Sequence, residues 1–211
     1  MIARKRKTLK ILQTERFTIF LAGLILIAFA PLRAGDMSNR FSIAWEIGNW
    51  QPHSLNDQPN FNTFGKAGAT PFYGFMISLP FGKEYGLQAS VGYWSLRDLN
   101  EVETVHSLTV HPVLLNLKYW LVPDNRLSAY VLYGGGVYWG IENETSPFGS
   151  RLRKARAGLG ASLGAGFDFA ISHRLGLGMT FQYYYVRFKE PLGGVDDFSG
   201  PKLAAMVFYY L

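Results

Sequence analysis

The stretch that decides the fold runs from His111 to Gly140 and reads HPVLLNLKYWLVPDNRLSAYVLYGGGVYWG. Apolar side chains recur at every second position in both halves, and β-branched and aromatic residues are frequent. Alternation with a period of two predicts strands rather than helices. Pro123-Asp124-Asn125 separates the halves, and these residue types favour turns because Pro fixes φ and Asp and Asn tolerate unusual backbone angles. We therefore predict two antiparallel strands joined by a tight turn at residues 121–126.

The same alternation recurs along the chain to its last residue. We predict strands at residues 41–50, 71–79, 86–96, 104–120, 127–141, 154–171, 175–189 and 203–211. The connections between them are alternately long and short, as an even-stranded antiparallel barrel requires when both termini lie on one side. The sequence thus predicts an all-β fold, an eight-stranded antiparallel up-and-down transmembrane β-barrel, formed by residues 35–211 as one domain.

Residues 1–34 have the pattern of a cleaved signal peptide. A basic segment, Met1 to Arg16, precedes an apolar run of 14 residues, FTIFLAGLILIAFA, and the small residue Ala34 follows shortly after. This order of basic, apolar and small residues is typical of secretory signals. A transmembrane anchor is the alternative, but a helix needs about 20 apolar residues to cross a bilayer. We therefore expect export and cleavage.

The net charge of the chain, +6, belongs to this leader. Residues 1–34 contain seven basic residues and one acidic residue, which leaves 14 of each sign in the rest of the chain. A balanced body gives no support to a nucleic-acid partner. The chain has no Cys, which excludes disulfides and Cys-ligated zinc.

On each predicted strand, the face opposite the apolar face is poor in charge. It is rich in Gly, Ser and aromatic residues, and its charged members are Glu46, Lys118, Arg156, Asp168 and Lys202. A soluble sandwich or lipocalin-like barrel, the alternative, would expose many more Lys and Glu residues. Lipid on one face and a small lumen on the other explain the pattern better, because closure satisfies every backbone group. Aromatic girdles are then expected at Tyr119, Trp120, Tyr209 and Tyr210 on the short-turn side and at Tyr93, Trp139 and Tyr185 on the long-loop side.

Four segments resemble a known superfamily. They are residues 111–119 (HPVLLNLKY), 129–137 (AYVLYGGGV), 163–169 (LGAGFDF) and the last strand, Leu203 to Leu211. The body of the chain resembles the small outer-membrane β-barrel superfamily that includes the OmpA, OmpX, OmpW and opacity-type barrels. The resemblance implies a Gram-negative outer membrane and recognition of the last strand by the barrel-assembly machinery. Leu211 stands where that signal usually has Phe, and Ala204 or Ala205 where it has Gly.

An eight-stranded barrel encloses a space just wide enough for side chains to fill. The large inward side chains, expected to pack against glycines on neighbouring strands, are Trp94, Leu114, Tyr130, Tyr138, Tyr184 and Phe208. Lys118 and Asp168 lie on strands separated by one neighbour, so we predict an interior ion pair bridged by Tyr130, since an unpaired charge there would be costly. Contact of each charge with lumen water is the alternative.

A basic cluster, Arg151, Arg153, Lys154 and Arg156, lies at the outer end of the sixth strand. Arg pairs well with phosphate, so we predict contact with lipopolysaccharide. The alternative is ordinary loop charge balanced by Glu142 and Glu144.

Function divides into three classes. The first is a non-enzymatic envelope-structural or surface-interaction role carried by the loops. The second, implied by the OmpW-like resemblance, is a conduit or binder for small hydrophobic molecules. The third is a lipid A-modifying enzyme, which we rank last because His53-Ser54 and His106-Ser107 do not match the His-x-Ser motif of the lipid A deacylase barrels. We expect no catalytic residue, no metal and no cofactor.

Overall fold

The computed structural model describes residues 40–55, 70–99, 105–122, 126–145 and 151–211. The predicted signal peptide and the Pro123-Asp124-Asn125 turn lie outside these ranges. Within them the chain forms nine strands and one 3₁₀ turn. The strands are β1 (Ser42–Trp50), β2 (Pro71–Phe81), β3 (Tyr85–Leu99), β4 (Val105–Trp120), β5 (Leu127–Thr145), β6 (Arg151–Ala170), β7 (Leu175–Leu192), β8 (Val195–Asp197) and β9 (Gly200–Tyr210), and the 3₁₀ turn is His53–Leu55.

Eight of these strands close into a barrel. Each strand from β1 to β7 pairs antiparallel with the next, β7 pairs with β9, and β9 pairs with β1. Closure leaves no edge strand in the wall, so every wall strand has a partner on both sides. The predicted eight-stranded antiparallel up-and-down barrel is confirmed. Within the described ranges, no helix has the length and apolar character that spanning a bilayer demands.

Several strands extend beyond the predicted boundaries at the long-loop end. Glu142 on β5 pairs with Lys154 on β6, and the ladder continues to Thr145 and Arg151. The side chains there are polar, so the apolar alternation stops before the backbone pairing does. The short strand β8 was predicted as loop. It pairs with β7 through a hairpin whose turn is Gly193-Gly194, both at positive φ, which glycine adopts at little cost.

The two faces of the wall differ as predicted. Outward positions carry exposed apolar residues, and Leu159 reaches 71 % exposure. The six large inward side chains predicted from sequence are all buried. Trp120 and Tyr210, expected in the short-turn girdle, are also buried; their positions have inward parity, so they close that end of the lumen instead.

The lumen is packed in two apolar layers. Trp50, Trp94 and Tyr138 belong to the layer at the long-loop end, and Trp120, Tyr130 and Phe208 belong to the layer at the short-turn end. Aromatic rings meet inward glycines across strand pairs, as predicted: a Cβ on Gly160 would lie 2.7 Å from Tyr138, and one on Gly86 would lie 2.6 Å from Trp120. Buried polar residues accompany the apolar layers, and four of them are charged: Glu46, Lys118, Asp168 and Lys202.

Candidate functional site

Lys118 and Asp168 meet inside the barrel. They project from β4 and β6 on either side of β5, and the distance from Lys118 Nζ to Asp168 Oδ2 is 2.5 Å. Lys118 Nζ lies 3.7 Å from the centroid of the Tyr130 ring. Tyr130 therefore contacts the ammonium through its ring face, as a cation–π partner, and not as the bridge predicted from sequence.

A second buried ion pair joins β9 to β1. Lys202 Nζ donates to both carboxylate oxygens of Glu46 at 2.7 Å, and to Gln182 Oε1 at 3.2 Å and Tyr184 Oη at 3.0 Å. The Lys202 ammonium also lies 4.2 Å from the centroid of the Phe72 ring. Both side chains of the pair are at most 2 % exposed, so their charges are compensated by each other rather than by solvent.

Sequence reasoning identified Glu46 and Lys202 as inward charges but did not pair them. Along the β1–β9 seam, Glu46 is opposite Met206, whereas Lys202 is opposite Trp50. The contact therefore spans several residues of strand length, and the closure of the barrel brings the two together. Opposite inward charges on the first and last strands are the signal that could have suggested the pair.

A packed aromatic cluster fills the long-loop end of the lumen. The Trp50 ring lies 5.4 Å from the rings of both Trp94 and Tyr184, and the Trp94 indole N–H donates to the Trp50 carbonyl oxygen at 3.0 Å. Phe198, which follows β8, packs on Trp94 and Phe188. The 3₁₀ turn lies against this segment, where the His53 amide donates to the Ser199 carbonyl oxygen at 3.0 Å. These contacts fill the lumen at the long-loop end of the barrel.

The predicted basic cluster divides between the two faces of β6. Arg153 has outward parity, whereas Lys154 and Arg156 have inward parity at the rim; Arg153 and Lys154 are exposed. Arg156 Nε lies 2.9 Å from Glu190 Oε2. The prediction for the Arg151 side chain lies outside the described residues. Lys154 is opposite Glu142, whose carboxylate accepts a hydrogen bond from the Gly193 amide at 3.2 Å.

Two further basic residues, Arg187 and Lys189, are exposed on the neighbouring strand β7. Arg187 is opposite Leu159, an outward residue of β6. The side chains of Arg187 and Lys189 therefore lie on the outside of the rim and enlarge its basic surface. Sequence reasoning missed them because they follow an apolar strand and belong to no charge run. We call Arg153, Lys154, Arg187 and Lys189 the basic rim.

Asp197 on β8 lies beside this surface, opposite Arg187. Its Oδ1 accepts a hydrogen bond from the Ser199 amide at 2.8 Å. A side-chain hydrogen bond with Ser199 is the main cause that lowers the pKa of Asp197, and the charges of Arg187 and His53 add to it, while partial burial opposes them. The lowered pKa favours the charged carboxylate, whose hydrogen bond orders the segment after β8. That segment is held on β7 by the Phe198 amide, which donates to the Val186 carbonyl oxygen, and by Ser199 Oγ, which accepts from the Val186 amide.

The described part of the chain offers no obvious metal centre, because no three of its His, Asp and Glu residues are grouped to hold an ion. The buried charges are instead committed to pairs. The two pairs tie β4 to β6 and β9 to β1.

Comparison with known proteins places the architecture. No protein-family model matches the chain, and no curated protein matches it. Among solved structures, the outer membrane protein OprG from Pseudomonas aeruginosa has a TM-score of 0.56 at 14 % identity, covering 86 % of this chain and 99 % of that one. Neisserial surface protein A has a TM-score of 0.52 at 14 % identity, covering 82 % and 97 %.

A third similar structure is the attachment invasion locus protein Ail of Yersinia pestis, in complex with the heparin analogue sucrose octasulfate. Its TM-score is 0.52 at 13 % identity, covering 81 % of this chain and 95 % of that one. Identities this low carry the fold and not the activity. The chain has the fold of the small eight-stranded β-barrels of bacterial outer membranes.

Proposed function

We propose that this chain is an integral protein of a bacterial outer membrane, with a side-chain-filled, non-conducting lumen and a non-enzymatic envelope-structural or surface-interaction role carried by its long loops. The observation that carries the proposal is the combination of an apolar outer wall with a packed interior. Lipid can wet such a wall because the closed ladder satisfies the backbone. The packed lumen leaves the residues outside it, at the long-loop end, to make contacts.

Planar-bilayer recording of the folded protein tests the lumen. We expect no conductance from the wild type, because fully buried Trp50, Trp94 and Tyr138 occupy the cross-section. Trp94→Ala should introduce conductance, whereas Trp139→Ala should not, because Trp139 lies on the outer face at the same end and is 49 % exposed. A stable wild-type channel would contradict the proposal.

Uptake of a solute by cells tests the alternative function, an OmpW-like conduit. A conduit needs a continuous path for a hydrophobic molecule, and the two apolar layers of the lumen support the proposal that there is none. Uptake of a small hydrophobic solute by cells should therefore be equal with and without the protein. Faster uptake would favour the conduit.

A surface role is tested by replacing the long connections. Exchanging residues 56–69, 100–104 and 146–150 for short Gly-Ser segments should preserve the barrel, because its strands and their ladders lie outside these segments. We expect the exchange to abolish the adhesion or envelope phenotype that the intact protein confers on cells. An unchanged phenotype would place the role in the barrel itself.

Lipopolysaccharide is the partner that we propose for the basic side chains at the long-loop end. The predicted cluster, Arg151, Arg153, Lys154 and Arg156, is joined there by Arg187 and Lys189. Neutralising the exposed basic rim should lower the lipopolysaccharide that co-purifies with the barrel, since each lost charge removes a phosphate contact. Neutralising Lys83 and Arg126, which lie at the opposite end, is the matched control and should leave it unchanged.

The proposal also predicts that the protein does not chemically modify lipid A. Mass spectra of lipid A from cells with and without the protein should be identical. A mass difference equal to one acyl chain would instead assign the chain to the lipid-modifying enzymes.

A further inference from the structure

An apolar groove of about 700 Å³ crosses the outer wall toward the short-turn end. It extends over five adjacent strands, from β6 through β7, β9 and β1 to β2. Its walls are large outward side chains, among them Trp45, Ile47, Tyr73, Phe167, Met179 and Val207. A volume of this size is in the range of ligand pockets in proteins.

Ala205 creates the groove. It is outward and exposed, and it lies opposite Met179 on β7 and Ile47 on β1. A methyl group between two long side chains leaves a notch in the wall. The backbone of Gly178 on β7 and of Gly74 on β2, whose α-carbons face the lumen, forms part of the floor.

The groove lies in one half of the apolar band. Met179 on β7 is five positions after Arg174, which precedes that strand, and Trp45 on β1 is five positions after Arg40, which precedes β1. At about 3.3 Å per residue and a strand tilt of about 40°, this corresponds to roughly 12 Å along the barrel axis. Half of the hydrocarbon core of a bilayer, which is one leaflet, is about 15 Å thick, so Trp45 and Met179 lie within one leaflet of these arginines.

Two arginines lie near the turn between β6 and β7, on the short-turn side of the groove. Arg40 Nη1 donates to the His173 carbonyl oxygen at 2.8 Å, which holds the Arg40 side chain against the turn between β6 and β7. Arg174 follows in that turn and is exposed, and its carbonyl oxygen accepts from the Tyr210 amide at 2.8 Å. The acidic residue described in the short turns, Glu84, lies in a different turn, between β2 and β3. Arg174 directly follows His173, whose carbonyl oxygen Arg40 contacts, so both cations lie near one turn, and guanidinium groups pair well with phosphate.

Short turns of bacterial outer-membrane barrels face the periplasm. We propose that the groove binds one glycerophospholipid of the periplasmic leaflet, with an acyl chain over Ala205 and the phosphate on Arg40 and Arg174. The proposal rests on the outer-membrane location proposed above. Apolar contact alone gives no preference between protein and neighbouring lipid, because both are hydrocarbon. Shape at Ala205 and the phosphate contacts therefore supply the selectivity, and each can be removed separately.

The test uses the folded barrel reconstituted in vesicles of phosphatidylglycerol and phosphatidylcholine, then released into mild detergent for native mass spectrometry. We expect one retained phosphatidylglycerol per barrel. Ala205→Phe fills the groove and should lower retention about tenfold or more, because the acyl chain loses its place. The double variant Arg40→Gln with Arg174→Gln removes the phosphate contacts and should lower retention by a similar factor, since charge-assisted hydrogen bonds are the strong ones.

Ala89→Phe is the matched control. Ala89 is also outward and exposed, and it lies between Ile77 and Leu115 on the strands next to it, but it is outside the groove. It should retain lipid as the wild type does. Equal retention by all variants, or equal loss in the Ala89→Phe control, would overturn the proposed site.

Two further arms separate the sources of failure. A dialkylglycerol without phosphate, or lipid A, retained as well as phosphatidylglycerol would overturn the assignment of the ligand. Failure of the wild-type protein to insert into the vesicles would overturn the membrane location and this site with it, whereas insertion without any retained lipid would overturn the site alone.

Discussion

Replacing Lys202 by Met should strongly destabilise the barrel. Lys202→Met removes four hydrogen bonds, to both oxygens of Glu46, to Gln182 and to Tyr184. The Glu46 carboxylate, 1 % exposed, is then left without its partner in a packed interior. Breaking a buried pair by removing one partner costs about 3–5 kcal/mol, which is a change of two to four orders of magnitude in the folded to unfolded ratio at about 1.4 kcal/mol per tenfold.

The double variant separates pairing from packing. With Glu46→Leu added to Lys202→Met, neither charge of this pair remains, and replacing a buried pair by apolar residues is often neutral or stabilising by about 1–4 kcal/mol. Gln182 and Tyr184 still lose a partner, which costs about 1–3 kcal/mol. We therefore expect the double variant to lie within about 2 kcal/mol of the wild type and to be more stable than Lys202→Met.

The assay is urea unfolding of the barrel in lipid vesicles, followed by Trp fluorescence and by heat-modifiable migration in gels. The slope of the free energy of unfolding against urea should stay constant, so that the midpoint reports stability. Lys83→Met, in the exposed β2–β3 turn, is the control and should change the free energy by no more than about 0.5 kcal/mol. A cost below about 1 kcal/mol for Lys202→Met, or a double variant as unstable as the sum of the singles, would show that lumen water screens the pair.

Three other perturbations follow from the same contacts. Lys118→Met should lower the free energy of unfolding by about 3–5 kcal/mol in the same assay, because it leaves the Asp168 carboxylate buried without its partner. A variant that unfolds no more readily than the wild type would contradict the ion pair. Trp94→Ala should cost about 3–5 kcal/mol, whereas Trp139→Ala on the outer face should cost clearly less; equal losses would argue against the packed lumen. Because the pKa of Asp197 is lowered in the folded state, its contribution is present above the unfolded pKa and is lost as the pH falls through the folded value. The protection factors of the amides after β8, which correct for the pH dependence of intrinsic exchange, should therefore fall in acid in the wild type but not in Asp197→Asn, and the same fall in both would refute it.

The wall was predictable because its two faces meet different surroundings. A one-residue shift would turn every outward Leu or Phe into the lumen, so alternation fixes the direction of side chains such as Trp94 and Leu163. Alternation fails where both faces become polar, and the ends of β5 and β6 were missed for this reason. β8 was missed because a three-residue strand is too short to show a period.

The interior was only partly predictable. Lys118 and Asp168 were paired because one strand separates them in the expected order of strands. Glu46 and Lys202 come together only through the register of the closing seam, which sequence alone does not specify. The basic rim was incomplete because Arg187 and Lys189 lie on β7, which pairs with β6, and neither belongs to the charge run of β6.

The central claim is that hydrocarbon surrounds the outer wall, and nitroxide accessibility tests it most directly. The chain has no Cys, so single labels can be placed at Leu115→Cys and Leu163→Cys on the outer face and at Lys83→Cys in a short turn, with the barrel in lipid vesicles. Labels at positions 115 and 163 should be relaxed by oxygen and shielded from a water-soluble nickel complex, while the label at 83 should show the reverse. A nickel complex that reaches positions 115 and 163 as readily as position 83 would contradict the claim, because water would then wet the wall.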